Sequence, residues 1–221
     1  MATTKNIIMK QFNGTDYDTL YPKTVYNQVS GVAPAGYGLG GTAKILTDAD
    51  DLNNIKTTGW YCYHSNKHPA NVPTPEVFSA VMEVIFGYYS GQTMQRVYST
   101  GDNNDWNLVA QRVSYGSGGW QPWEWVNPPM KLGVEYRTVE RYNGKPVYAK
   151  LLNFGALPNS TSKSFAHGIS SLGYVVDIYG QGVAGQDVKV SVDTTNITIT
   201  STSNLSAVTA YPVIKYTKTT D

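Results

Sequence analysis

The stretch Gly133-Val-Glu-Tyr-Arg-Thr-Val-Glu-Arg-Tyr-Asn-Gly-Lys-Pro-Val-Tyr-Ala-Lys150 decides the fold of the C-terminal part of this chain. Two β-prone runs flank Tyr142-Asn-Gly-Lys145, and Asn-Gly supplies the two positive φ angles of a type I′ turn, so the spacing predicts a tight hairpin. Downstream, Val188, Val190 and Val192 alternate with Lys189, Ser191 and Asp193. Asp193-Thr-Thr-Asn196 then turns the chain, and Ile197 and Ile199 alternate with Thr198 and Thr200 in a return strand. Val175-Val-Asp-Ile-Tyr179 and Pro212-Val-Ile-Lys-Tyr216 read as two more strands. Short strands with turns every 8–12 residues or so predict a β-sandwich, jelly-roll-like, over residues 131–221.

Upstream, residues 42–128 read as a small antiparallel α+β unit, so the fold class as a whole is mainly β. Thr47-Asp48 is placed to cap a short helical turn through Ala49–Asn53. Candidate strands follow at Gly59–His64, Val81–Tyr89, Gln95–Thr100, Leu108–Tyr115 and Trp123–Val126, a meander broken by Gly91 and by Asp102-Asn-Asn-Asp105. Residues 1–30 form an amphipathic leader with too little apolar surface for a core of its own, suited to attachment or trimerisation. Residues 31–41, Gly-Val-Ala-Pro-Ala-Gly-Tyr-Gly-Leu-Gly-Gly, read as a linker. Their glycine spacing is not a phosphate loop, because no buried strand precedes it and no helix follows.

Composition narrows the functional classes. Charged residues are 15% of the 221 and the net charge is +1, so there is no broad electrostatic footprint for nucleic acid. Seventeen tyrosines and five tryptophans against five phenylalanines is a skewed aromatic set. Tyr and Trp suit partly wet surfaces such as subunit interfaces and sugar-binding faces, although Tyr also favours strands in general. The single cysteine, Cys62, excludes an internal disulfide, and Trp60-Tyr-Cys-Tyr63 reads as a buried strand position. The start of the chain has no apolar run long enough for a signal peptide, and no segment approaches a membrane span. The expectation is synthesis in a cytoplasm, release by cell lysis and no membrane insertion.

Catalytic and metal motifs are not found. His64 and His68 are four apart, but they fall on a strand and a turn with no third ligand nearby. Asp48-x-Asp50 opens like a calcium loop, yet Asn53 and Gly59 occupy the glycine and glutamate positions. A glycan hydrolase needs two carboxylates across a cleft. Glu135 and Glu140, five apart on one strand, point to opposite faces, while Glu76, Glu83 and Glu124 stand alone. There is no Gly-x-Ser-x-Gly elbow, and His167 reads as a packed residue whose ring bonds the backbone. The sequence therefore predicts no enzyme, no cofactor and no metal, although a carboxylate pair meeting across the fold stays open.

Binding residues are better marked. Trp106, Trp120, Trp123 and Trp125 surround Gly116-Ser-Gly-Gly119, and exposed indoles stack on sugar faces; Trp120 and Trp123 also fit as staples of the core. Recognition usually sits on loops carried by a rigid scaffold. Candidate ligand contacts are Trp106, Trp125, the hairpin tip Tyr142, Asn143 and Lys145, and Gln181 and Gln186 in the loop Gly180-Gln-Gly-Val-Ala-Gly-Gln186.

Three groups of residues carry a resemblance. Arg141-Tyr-Asn-Gly-Lys-Pro-Val-Tyr148, Phe154-Gly-Ala-Leu-Pro158 and the closing Tyr216-Thr-Lys218 resemble the C-terminal head module at the tips of phage and prophage tail fibres. Leu46–Ile55, Thr58-Gly-Trp-Tyr61, Trp106 and Gly119-Trp-Gln-Pro-Trp123 are similar to the pyocin-knob module of such fibres. Lys5–Gln11 with Leu20–Thr24 is similar to the opening of tail fibre and baseplate proteins from phages of Gram-positive bacteria. The resemblance implies a homotrimeric receptor-binding tip on a virion tail, with a host cell-surface glycan and other tail or baseplate proteins as partners. A glycan depolymerase on such a fibre and a structural spacer or baseplate component are the other two classes in play.

Overall fold

The computed structural model of the chain describes residues 9–12, 14–15, 17–20, 42–64, 67–73, 79–87, 91–101, 107–116, 119–183 and 185–221. Near the start, β1 (Met9–Phe12) and β2 (Tyr17–Leu20) pair as an antiparallel hairpin. The expected linker at 31–41 lies outside the described residues. The remaining strands are mainly antiparallel, in line with the mainly-β reading.

The first group comprises β3 (Lys44–Ile45), β4 (Gly59–Tyr63), β5 (Ala80–Phe86), β6 (Thr93–Ser99), β7 (Val109–Ser114) and β8 (Glu124–Trp125). The expected helical turn is instead a 3₁₀ turn, Leu52–Asn54, and its cap is Asp51, whose carboxylate accepts from Asn53 N–H at 2.8 Å. The shift has a local cause. Asp50 reaches back to Thr47 N and Oγ1 at 2.7 and 3.0 Å, closing a separate turn, so the helical turn starts only after Asp51.

The second group comprises β9 (Glu135–Tyr142), β10 (Lys145–Leu151), β11 (Gly155–Ala156), β12 (Ser162–Ala166), β13 (Leu172–Gln181), β14 (Val188–Val192), β15 (Asn196–Ser201) and β16 (Thr209–Lys218). The β9–β10 turn carries φ of 49° at Asn143 and 77° at Gly144, as the type I′ reading requires.

One sheet runs through both groups in the order β11-β16-β10-β9-β8-β7-β6-β5-β4-β3, with β13 also paired to β16. The two groups join where β8 and β9 pair in parallel, Trp125 opposite Thr138. Residues opposite one another in a sheet share a face, so the register defines rows. Tyr61, Met82, Val97, Ala110 and Trp125 form an apolar row on one face, which is buried against Leu46 and Leu52. Glu83, Arg96, Gln111 and Glu124 form a polar row on the other.

Beyond β8 the covered face changes sides. Tyr136, Ala149, Lys215 and Asp177 continue the first face, and it becomes polar toward β13. Arg137, Tyr148, Tyr216 and Val175 continue the second face, which is now the buried one. It is covered by a three-stranded sheet, β12-β15-β14, whose Ile197 and Ile199 are fully buried in one core with Tyr148, Ile214 and Tyr216. That is a two-layer sandwich, and full burial of each such side chain contributes about 1.5–3 kcal/mol. Met130 and Tyr136, from beyond residue 128, pack with the first core.

Candidate functional site

On the solvent face of the second group, the β9–β10 turn and the start of β13 enclose an open cleft of about 470 Å³. The type I′ turn places Tyr142, Asn143 and Lys145 along one side. Opposite them, β13 pairs with β16. A Cβ on Gly173 would meet the backbone oxygen and the Oγ1 of Thr217 at 3.0 Å each, so a larger residue would have to displace the Thr217 backbone by a few tenths of an ångström. The next residue, Tyr174, donates its N–H to Thr217 Oγ1 at 3.1 Å. Its ring is thereby laid on that of Tyr142, with centroids 4.7 Å apart and planes 4° from parallel.

The cleft combines apolar and polar chemistry. Tyr174 is 55% exposed, so the stacked pair keeps an outward ring surface. The Tyr142 phenol is shifted up from its ordinary value, first by its hydrogen bond with Tyr174, and so stays a neutral donor and acceptor. The Lys145 ammonium donates to the Lys218 carbonyl at 3.3 Å, and Thr219 donates its N–H and Oγ1 to Ser171 O at 2.9 and 3.3 Å. Flat aromatic surface beside amide, ammonium and hydroxyl groups suits a ligand that has apolar C–H faces and many hydroxyls.

The sequence-based candidates divide. Tyr142, Asn143 and Lys145 come together here. Gln181 and Gln186 are exposed at the opposite end of β13, since Gln181 lies beside Tyr211 whereas Leu172 lies beside Lys218. The seven steps from Tyr174 to Gln181 span roughly 23 Å at strand rise. Trp125 is corrected: it is only 6% exposed, set edge-on to Tyr136 in the first core, and offers no ring face to a ligand. Trp106 lies outside the described residues. Gly173, Tyr174, Thr217 and Thr219 were missed, because their place in the cleft depends on the β13–β16–β10–β9 pairing order.

Several other titratable groups make structural hydrogen bonds and ion pairs. His167 is buried; its Nδ1 accepts from Ile169 N–H at 3.0 Å, which leaves Nε2 to donate to Asp193 O at 3.1 Å, so the ring bonds the backbone as expected. Glu135 bonds Tyr216 and Lys218 while Glu140 bonds Lys215, which confirms that the two glutamates face opposite ways. Glu124 does not stand alone: Arg137 Nε reaches it at 2.9 Å, and Arg141 Nη2 donates to both its oxygens at 2.6 and 2.9 Å. Trp120 and Trp123 act as staples. They sandwich the Arg112 guanidinium at 4.2 and 4.4 Å and donate to Asn53 O and Asn71 O at 3.0 Å each. Burial pushes the Arg112 guanidinium down to about 10, partly opposed by Asp51.

Cys62 is half-buried rather than buried, because the alternation of β4 turns Tyr61 and Tyr63 to the core and Cys62 away from it. The His68 ring meets the Tyr63 ring edge-on, 6.0 Å between centroids. Among the described residues no three His, Cys, Asp or Glu side chains converge as metal ligands, and no helix is long and apolar enough to cross a membrane. Glu76 and Asp102–Asp105 lie outside the described residues.

No protein-family model matches the chain, and no curated protein matches it. Two solved structures align with it. An N-truncated R2-type pyocin tail fibre is 14% identical, with 78% of this chain and 95% of that one covered, at a TM-score of 0.29. A C-terminal portion of the R2 pyocin fibre of P. aeruginosa is 12% identical, with 90% of this chain and 70% of that one covered, at a TM-score of 0.30. At such scores the fold described above rests on the strand pairings themselves.

Proposed function

We propose that the chain is a non-catalytic receptor-binding tip of a bacteriophage or prophage-particle tail fibre, and that it attaches to a host cell-surface glycan. The observation that carries this reading is the cleft in which Tyr142 stacks on the half-exposed Tyr174 beside Asn143 and Lys145. The sequence resemblance to fibre heads over residues 131–221 and to the knob over residues 42–128 points the same way. A second surface fits work in an assembly. Ile85, Met94 and Val113 form a cross-strand row, and Ile85, Phe86, Val113 and Tyr115 are 42–68% exposed. A homotrimer would multiply weak glycan contacts on one stalk.

The test is binding of the purified chain to a panel of bacterial cells and to their isolated wall polysaccharides, with mass by light scattering. The reading expects polysaccharide binding without release of reducing ends, and a threefold mass. Released reducing ends would instead indicate a depolymerase, and a chain that binds no cells would indicate a structural spacer.

A further inference from the structure

On the reading of the cleft as a glycan site, we infer that its ligand is an extended polysaccharide chain lying along β13, with Tyr179 and Lys215 as a second contact point. The register places this pair on the face that carries Tyr142. Asp177 lies opposite Lys215 and Tyr179 opposite Val213, so both side chains share the face of Lys215. Glu140, two residues before Tyr142 on β9, reaches Lys215 at 2.6 Å and so points the same way. Lys215 Nζ also sits over the Tyr179 ring, 5.7 Å from its centroid.

Tyr179 is 41% exposed and Tyr174 55%. The surface therefore presents an aromatic platform, a polar stretch of Glu140, Lys215 and Asp177, and a second aromatic platform. The five steps from Tyr174 to Tyr179 cover roughly 16 Å at strand rise, less a little for the bulge between Val175 and Asp177. One pyranose ring cannot bridge that distance, but a run of linked sugars can. Ring C–H faces would lie on the tyrosines, and hydroxyls would meet the carboxylates and the ammonium between them. This spacing selects a linear oligosaccharide over a terminal sugar.

The experiment measures binding of the full chain to size-fractionated fragments of a wall polysaccharide that it binds intact, from single sugars to octasaccharides. Affinity should rise with length until both platforms are covered. Tyr179→Ala should weaken the long fragments about tenfold, the factor given by a contact worth roughly 1.4 kcal/mol, and leave the short ones unchanged. Tyr174→Ala should weaken all lengths. Because both side chains are surface-exposed, an unchanged thermal midpoint identifies folded variants, and Lys215→Met repeats the long-fragment test without removing a ring. Equal affinity for mono- and octasaccharides, with Tyr179→Ala and Lys215→Met silent, overturns the extended site but leaves the cleft. Binding insensitive to both Tyr174→Ala and Tyr142→Ala overturns the cleft itself.

Discussion

The rings of Tyr142 and Tyr174, one on the hairpin strand β9 and one on β13, lie parallel with centroids 4.7 Å apart. An exposed stack of this kind adds little to stability, because surface substitutions usually stay within about 0.5 kcal/mol. Tyr174→Ala should therefore weaken binding of wall polysaccharide by about tenfold, roughly 1.4 kcal/mol, with an unchanged urea midpoint. Tyr174→Phe keeps the ring and should retain most of the affinity. Isothermal titration beside urea denaturation checks both.

Gly144 in the β9–β10 turn and Gly173 in the cleft wall are glycines for different reasons. Gly144 has a φ of +77° with open space around it, so Gly144→Ala should cost only the backbone term, about 1–2 kcal/mol. Gly173→Ala would push β13 off the Thr217 backbone, moving Tyr174 with it. It should lower polysaccharide affinity as well as stability. Paired denaturation and binding curves distinguish the two.

Glu124 ties β8 to β9. Its side chain is 12% exposed and that of Arg137 18%, whereas Arg141 is 43% exposed and its share is screened by solvent. Glu124→Gln should destabilise the chain by about 1–3 kcal/mol by leaving the half-buried Arg137 guanidinium poorly matched. In double-mutant cycles the coupling of Glu124 to Arg137 should exceed that to Arg141.

Arg112 lies between two indoles and donates Nε to Gln95 Oε1 at 2.9 Å. Lysine carries the charge but neither the planar stack nor the Nε bond. Arg112→Lys should cost about 2–3 kcal/mol from the lost cation–π and hydrogen-bond terms, and near-ultraviolet circular dichroism should report loosened Trp120 and Trp123.

Asp51 and Asp193 cap turns through backbone N–H groups of Asn53 and of Thr195 and Asn196, and these bonds hold both carboxyls below the ordinary value. A folded-state pKa that is depressed gives stability present above the unfolded value, about 3.9, and lost as pH falls through the folded one. The thermal midpoint should be steady near neutrality and fall below pH of about 4. Asp51→Asn and Asp193→Asn should each lower it at pH 7 and flatten its acid decline.

The division between chain and fold is clearest at particular residues. Local chemistry was legible: Asn143-Gly144 specified its turn, the Val188–Val192 and Ile197–Ile199 alternations specified their strands, and the histidine of Ala166-His-Gly-Ile169 read as a packed ring. These depend on backbone preference and on period-two patterning, which act over a few residues. The Thr47 cap was misplaced because Asp50 ties back to Thr47 in a turn of its own, which leaves Asp51 to cap the 3₁₀ turn.

Trp125 and Tyr174 show what only the tertiary structure decided. One looked like a ligand contact and lies in the core; the other drew no notice and forms the cleft wall. Which face of a strand is covered depends on partners distant in sequence, and here the covered face changes sides at the β8–β9 pairing. A strand's own alternation says that it has two faces, and it cannot say which one meets water.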